Sequence, residues 1–222
     1  MRLLLIRHGQ TPANVGGVLE TSRPGPGLTA LGARQAEAIP GALAEERIDA
    51  VYVSPLVRTH LTAAPLAESR DLPLLEREGL EEIEAGSLEG RTDTPAQESY
   101  IGTVLAWVQG DPSVRMPDGP SGEEFFARFD AAIAGIAAEQ ADDAHVVVVS
   151  HGAAIRIWVG SRAVNADAAY ASHHMLANTA IVVLEGSPDA GWQVVSWGTD
   201  PAGGPGLRDE AADDPTGEAG AD

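Results

Sequence analysis

A guanidinium and an imidazole stand side by side at Arg7-His8, followed at once by Gly9, Gln10 and Thr11, with Asn14 close behind. A neutral imidazole is a competent nucleophile or base near pH 7. An arginine grips an oxyanion with two parallel N–H groups, and a glycine lets the backbone approach a ligand closely. A second arginine lies in Ser54-Pro55-Leu56-Val57-Arg58-Thr59, and a second histidine in Ser150-His151-Gly152. A fourth segment, Leu80 to Gly90, carries Glu81, Glu82, Glu84 and Glu89. Any of these acids could supply a proton, and any could equally be a solvated surface group. Each segment alone is a weak signal, because a histidine after a strand is more often structural; their joint occurrence is what points to oxyanion chemistry.

The elements around these segments explain how they could meet. Leu3 to Ile6, Ala50 to Val53 and His145 to Val149 are short apolar runs, each stopped by one of the segments above, and they read as buried strands. Helical patterns cover Thr29 to Glu46, Leu56 to Glu68, Thr94 to Gln109, Gly122 to Gln140 and Ala153 to Val159. Leu72 to Leu75 reads as a further short strand, and Thr179 to Leu184 and Gln193 to Trp197 as two closing ones. The alternation predicts an α/β domain, a three-layer αβα arrangement with a mainly parallel central sheet. In such a sheet the site lies at the C-terminal ends of the strands, where His8, Arg58 and His151 all fall. Arg58 would sit in the first turn of its helix, where free N–H groups and positive partial charge favour phosphate.

Composition narrows the chemistry. The chain of 222 residues has 33 acidic residues against 14 arginines and no lysine, a formal charge of -19. Such a surface repels nucleic acid and anionic membranes, so the expected partner is a small molecule captured locally by clustered arginines. The absence of cysteine and lysine excludes thiolate nucleophiles, thiolate metal sites, a P-loop lysine and a Schiff base. The apolar run at Leu3 to Ile6 is too short for a signal peptide, and no stretch approaches membrane-spanning length, so a cytoplasmic protein is expected. Residues 1–200 read as one domain. Residues 201–222, rich in Gly, Pro, Ala and acids, read as a disordered, solvating tail.

Taken together and in order, the four segments resemble the histidine phosphatase (phosphoglycerate mutase-like) superfamily, whose signature is Arg-His-Gly near the N-terminus. The resemblance spans roughly residues 1 to 200. It implies that His8 is phosphorylated, that Arg7, Arg58 and His151 hold the phosphoryl oxygens, and that Asn14 and Gly152 lie in the phosphate pocket. It also implies that Glu82, four residues before Gly86 as in the family's Glu-x-x-x-Gly pattern, is the proton donor, and that neither metal nor cofactor is needed. The expected activity is hydrolysis of a small phosphorylated metabolite through a phosphohistidine. Departures occur at Val18 to Ser22, where many relatives have an aromatic-x-Gly-Trp sequence, at Leu88 in place of a frequent Trp, and at Glu124 in a Gly-Glu-Ser position.

Two rivals are weighed. A phosphoglycerate mutase-type phosphotransferase needs more basic residues for a second anionic group, yet only Arg115 lies between Arg91 and Arg128, with no Arg-Arg pair. A non-catalytic phosphate-binding module would be favoured by loss of His8, Arg58 or His151, and all three are present. Substrate contacts are expected from residues 15 to 25 and from Thr94 to Glu124. His60 is expected at the surface, and the pair His173-His174 is expected to be structural or to line the pocket. The sequence sets no oligomeric state.

Overall fold

Two near-continuous apolar strands form the centre of the sheet. They are β1 (Arg2–Arg7) and β4 (His145–Ser150), and Leu3 to Ile6 and Val146 to Val149 are fully buried. Strands covered on both faces need apolar residues at every position, which is why neither shows alternation. The computed structural model describes residues 1–209, 211, 212 and 214. Around the central pair lie β2 (Ala50–Val53), β3 (Leu74–Glu76), β5 (Ile181–Ser187) and β6 (Gly191–Trp197), in the order β3-β2-β4-β1-β5-β6. The first four strands are mutually parallel, and β5 and β6 add an antiparallel edge beside β1. The expected mainly parallel α/β sheet is therefore what forms.

Successive residues of each strand divide between two cores. Leu4, Ile6, Val51, Val53, Val147 and Val149 pack with Ile39, Ala63 and Leu66 of α2 (Ala30–Ala42) and α3 (Val57–Arg70). Leu3, Leu5, Tyr52, Val146 and Val148 face α4 (Thr94–Val108), α5 (Gly122–Glu139) and α6 (Gly152–Arg162), whose Trp107, Phe125, Phe129 and Trp158 fill the larger core. Each fully buried aliphatic side chain contributes about 1.5–3 kcal/mol, so both faces of the strands are firmly held and their C-terminal ends form a rigid platform.

Helix starts follow local chemistry. Thr29 caps α2, Asp93 caps α4, and Ser121 with Glu124 closes a capping box on α5. Glu124 thus has a structural use, with its carboxylate accepting the Ser121 N–H at 2.8 Å. Two short helices were not legible. One, α1 (Pro12–Val15), lies in the Gly/Pro-rich loop after β1; the other is α7 (Ala168–His173). At four and six residues they are too short to show periodicity. His173 and His174 accordingly belong to a helix end: His174 stacks on Tyr170 with ring centroids 3.7 Å apart, and His173 donates to the Ala169 carbonyl.

Where a solvated tail was expected from 201 onward, the chain first packs back on the domain. Ala202 is buried and donates its N–H to Thr179 O, and a 3-10 turn at Pro205–Leu207 lies against α2, with Gln35 Nε2 donating to Leu207 O at 2.8 Å. The small apolar residues Ala202 and Leu207 give this stretch something to bury, a local feature that overall composition hides. Residues 210, 213 and 215–222 of the expected tail lie outside the described residues.

Candidate active site

The ends of β1 and β4 bring the two histidines together. In the parallel register Arg7 pairs with Ser150, and the His8 N–H continues the ladder to Ser150 O at 3.0 Å. His8 and His151 therefore leave adjacent strands side by side, with ring centroids 5.2 Å apart in an edge-on arrangement. Both are buried, at 3% and 0% exposure. His8 Nδ1 lies 2.8 Å from the Gly9 carbonyl, which can only accept, so the ring proton sits on Nδ1 and Nε2 carries the lone pair.

Gly9 is demanded by packing. A Cβ there would come within 2.8 Å of Gly32 O, and a Cβ on Gly32 would collide with Gln10 O. The two glycines let the start of α2 lie directly on the loop after β1. The Thr29 N–H and hydroxyl then bind Gln10, and the Gln10 N–H donates to Gln35. The Gly9 N–H is taken by Thr62 Oγ1 at 2.8 Å.

Arg58 lies in the first turn of α3 and is 2% exposed. Its Nε donates to His151 Nδ1 at 3.3 Å and its Nη2 to Glu20 O at 3.2 Å; its buried Nη1 has no partner among the described residues. Gly25, at φ +70°, makes room for the guanidinium, since a Cβ there would lie 2.5 Å from Nη1. Because Arg58 donates to His151 Nδ1, the His151 proton belongs on Nε2, which faces Ser54 Oγ at 2.7 Å.

Glu82 is brought to the same place from the loop after β3. It is 2% exposed, and its carboxylate accepts the N–H groups of Ile83, Ala153 and Ala154 at 2.9, 3.2 and 2.8 Å. The last two belong to the opening turn of α6, begun by Gly152, so the carboxylate caps that helix next to His151. The other loop acids are spent elsewhere. Glu81 binds Arg23 and the Gly79 N–H, Glu89 holds Thr21 and Ser22, and Glu84 is exposed. Asn14 is buried in α1; its Oδ1 closes the cap with Thr11 and accepts from Asn178, whose amide also reaches His8 O. Arg7 is fully buried, donates to Leu176 O and forms an ion pair with Asp214. All seven expected residues (Arg7, His8, Asn14, Arg58, Glu82, His151 and Gly152) thus border one end of the sheet. His60 is outside it, paired with Glu76.

Burial, with Arg58 and Arg7 adding repulsion, holds the His8 pKa well below the usual imidazole range. Burial, Arg58 and His8 do the same to His151. Burial raises Glu82 above the ordinary carboxylate, against the opposing pull of its three backbone donors and Arg58. The site therefore holds neutral imidazoles between fixed cations, with an acid biased toward its protonated form.

Several supporting residues escaped the sequence reading. Ser54, Thr62 and Asn178 orient His151, Gly9 and His8. From α5, Arg128 reaches the carbonyls of Gly79, Glu81 and Glu82 at 2.8, 3.0 and 2.7 Å. Thr62 could have been found by its four-residue spacing from Arg58 on one helix face. Nothing local marks Asn178 or Arg128, whose partners are more than 45 residues away in sequence.

Residues 3–200 match the histidine phosphatase superfamily (branch 1). The chain belongs to that superfamily. A mycobacterial glucosyl-3-phosphoglycerate phosphatase of known structure superposes on it with a TM-score of 0.74 at 27% identity, covering 90% of this chain and 99% of that one. Phosphoserine phosphatase 1 of Hydrogenobacter thermophilus is 30% identical over 160 residues, 70% of this chain and 73% of that one. A PE-PGRS family protein of Mycobacterium tuberculosis is 37% identical over 213 residues; they make up 89% of this chain, which spans only 36% of that protein's length. The sheet and its flanking helices are the phosphoglycerate mutase-like fold of these histidine phosphatases. Among the described residues no helix is long and apolar enough to cross a membrane.

Within this histidine phosphatase frame, the departures at Val18 to Ser22 cluster beside Arg58. The Glu20 carboxyl is raised by burial, and Glu89 ties Thr21 and Ser22 to the acid loop.

Proposed function

We propose that the chain is a metal-independent phosphatase that hydrolyses a small phosphomonoester through a phosphohistidine at His8. The observation that carries the reading is the His8 ring. It is neutral, fixed by its Nδ1–H on Gly9 O, and presents an Nε2 lone pair in a pocket bounded by Arg7, Arg58 and His151. Attack of Nε2 on phosphorus breaks the P–O bond to the leaving group. Arg7, Arg58 and His151, whose Nε2–H would exchange Ser54 Oγ for a phosphoryl oxygen, take up the charge on the phosphoryl group, the main way a protein stabilises this transfer. The unpartnered Arg58 Nη1 is one donor an oxygen would satisfy. Glu82 gives its proton to the departing alkoxide, then accepts one from the water that cleaves the phosphohistidine, restoring both groups.

Asn14 and Gly152 complete the pocket in this proposal, Asn14 from α1 and Gly152 from the first turn of α6. The mutase alternative gains no support from the remaining arginines. Arg23, Arg91 and Arg115 are each committed to nearby carboxylates rather than offering a second anion site. A charge of -19 favours a small metabolite over a polyanion, and a cytoplasmic setting is part of the same proposal.

The test is hydrolysis of p-nitrophenyl phosphate in excess EDTA by wild type and His8→Ala between pH 4 and 8. Turnover that survives EDTA and collapses in the variant is expected. Equal activity in the variant would remove His8 from the mechanism, and an inactive wild type that still binds phosphate would favour a binding module.

A further inference from the structure

One arginine of the proposed phosphate site, Arg7, carries a carboxylate of the chain itself. Asp214 is 5% exposed and pairs with the Nη2 of Arg7, which is fully buried while its Nη1 donates to Leu176 O at 2.8 Å. Asp214 Oδ2 takes the Nη2 donor of Arg7, the kind of charge-assisted bond that a phosphoryl oxygen would otherwise accept. Arg156, buried in α6 one turn beyond Gly152, lies within electrostatic reach of both Arg7 and Asp214. The carboxylate thus lies in the field of two arginines, Arg7 and Arg156.

The approach of the chain to this point is built by contacts along its length. After β6, Gly203 takes φ +90° against Ala38, where a Cβ would lie 2.7 Å from the Ala38 Cβ. Arg208 donates to Thr199 O at 2.7 Å and pairs with Asp200. Asp209 then accepts from Gln10 Nε2 at 2.8 Å. Gln10 and Arg7 flank His8-Gly9, so Asp209 and Asp214 touch the catalytic loop on both sides of the nucleophile. Asp214 also lines, with Asn178, Ala177 and Gln35, the crevice on the outer side of that loop. In a chain of charge -19 an acidic C-terminal segment would otherwise be repelled by the domain, and the arginines of this site offer it a favourable place.

We propose that the Arg7 site is also a binding site for a peptide carboxylate, filled in cis by Asp214, and that a phosphorylated substrate must displace this segment to bind. The proposal rests on the reading of Arg7 as a phosphate ligand. Tethering keeps the carboxylate at high effective concentration, so the segment acts as an internal competitor that raises the apparent dissociation constant of any anion by the inverse of the open fraction. A dianionic phosphate outcompetes the single carboxylate because it also engages Arg58 and His151.

The experiment measures inorganic phosphate binding by calorimetry, and KM and kcat for p-nitrophenyl phosphate, in full-length wild type, Asp214→Asn and Arg58→Ala. Asp214→Asn is expected to lower both the phosphate dissociation constant and KM by about tenfold, the factor for a site open one time in ~10, with kcat little changed. Amide hydrogen exchange of residues 209–214 in wild type gives a readout that needs no variant, and saturating phosphate is expected to accelerate it. Unchanged binding in Asp214→Asn together with unchanged exchange overturns the proposal, as does weaker binding in that variant. If phosphate binding is lost in Arg58→Ala while Asp214→Asn behaves as wild type, the phosphate-site reading stands and the internal competitor fails. Phosphate binding that ignores Arg58→Ala sinks both.

Discussion

His8 and His151 face each other with ring centroids 5.2 Å apart because β1 and β4, separated by more than 130 residues of chain, are neighbours in one parallel sheet. The strand ladder continues one bond beyond β1, through His8 N–H to Ser150 O, so the placement of both rings is inherited from the sheet. Arg58 is locked to the same pair by its bond to His151 Nδ1.

Removing the second ring tests that arrangement. In the proposed mechanism His151→Ala deletes a donor to the phosphoryl group and frees Arg58 Nε, and kcat is expected to fall by about 10²–10³-fold. Circular dichroism should stay native, because the flanking strands are held by two cores. Steady-state kinetics on p-nitrophenyl phosphate with a matched thermal melt checks both halves.

The pH dependence follows from the two opposed shifts. His8 is held well below the usual imidazole range, so as the proposed nucleophile it is expected to stay unprotonated on the acid side of neutrality and to be lost only at still lower pH. Glu82 is raised, so it keeps its proton above the ordinary carboxylate range and loses it as pH climbs. For an alkyl phosphate, kcat/KM is expected to be bell-shaped with an acidic optimum. In Glu82→Gln the rate should drop, the alkaline limb should flatten, and p-nitrophenyl phosphate, whose leaving group needs less protonation, should suffer less than an alkyl phosphate.

Arg128 acts on that acid from behind. Its bonds to the Gly79, Glu81 and Glu82 carbonyls hold the loop that carries Glu82, so Arg128→Met is expected to reproduce the leaving-group signature of Glu82→Gln in weaker form, lowering kcat more than it changes KM. Arg128→Lys, which keeps the charge and one donor, should recover part of the loss. A uniform fall for both leaving groups would mean that Arg128 serves stability alone.

Two glycines are expected to be intolerant. Gly86 has φ +58° and a Cβ there would lie 2.0 Å from Pro117 O, while one on Gly9 would lie 2.8 Å from Gly32 O. Gly86→Ala should cost about 1–3 kcal/mol of stability through the strained backbone and the collision, and shift the Glu82 loop with it. Gly9→Ala should push α2 away from the His8 loop and cut activity more than stability. Denaturant unfolding beside kinetics separates the two.

What the sequence settled by itself was whatever rests on short-range pattern. Leu3 to Ile6 and Val146 to Val149 are apolar at every position, short runs that fit strands covered on both faces, and each is stopped by its own histidine motif. That sufficed for the α/β class, for the three strand ends and for the residues that could meet there. Among Glu81, Glu82, Glu84 and Glu89 only the spacing of Glu82 to Gly86 in the family pattern made a choice, because four carboxylates on one loop otherwise differ only in what covers them. The start of α6 buries Glu82 and leaves its neighbours to other partners. Arg128, Asn178 and the return of Asp214 to Arg7 were likewise hidden, since each joins segments far apart in sequence by a contact that exists only after the layers have packed.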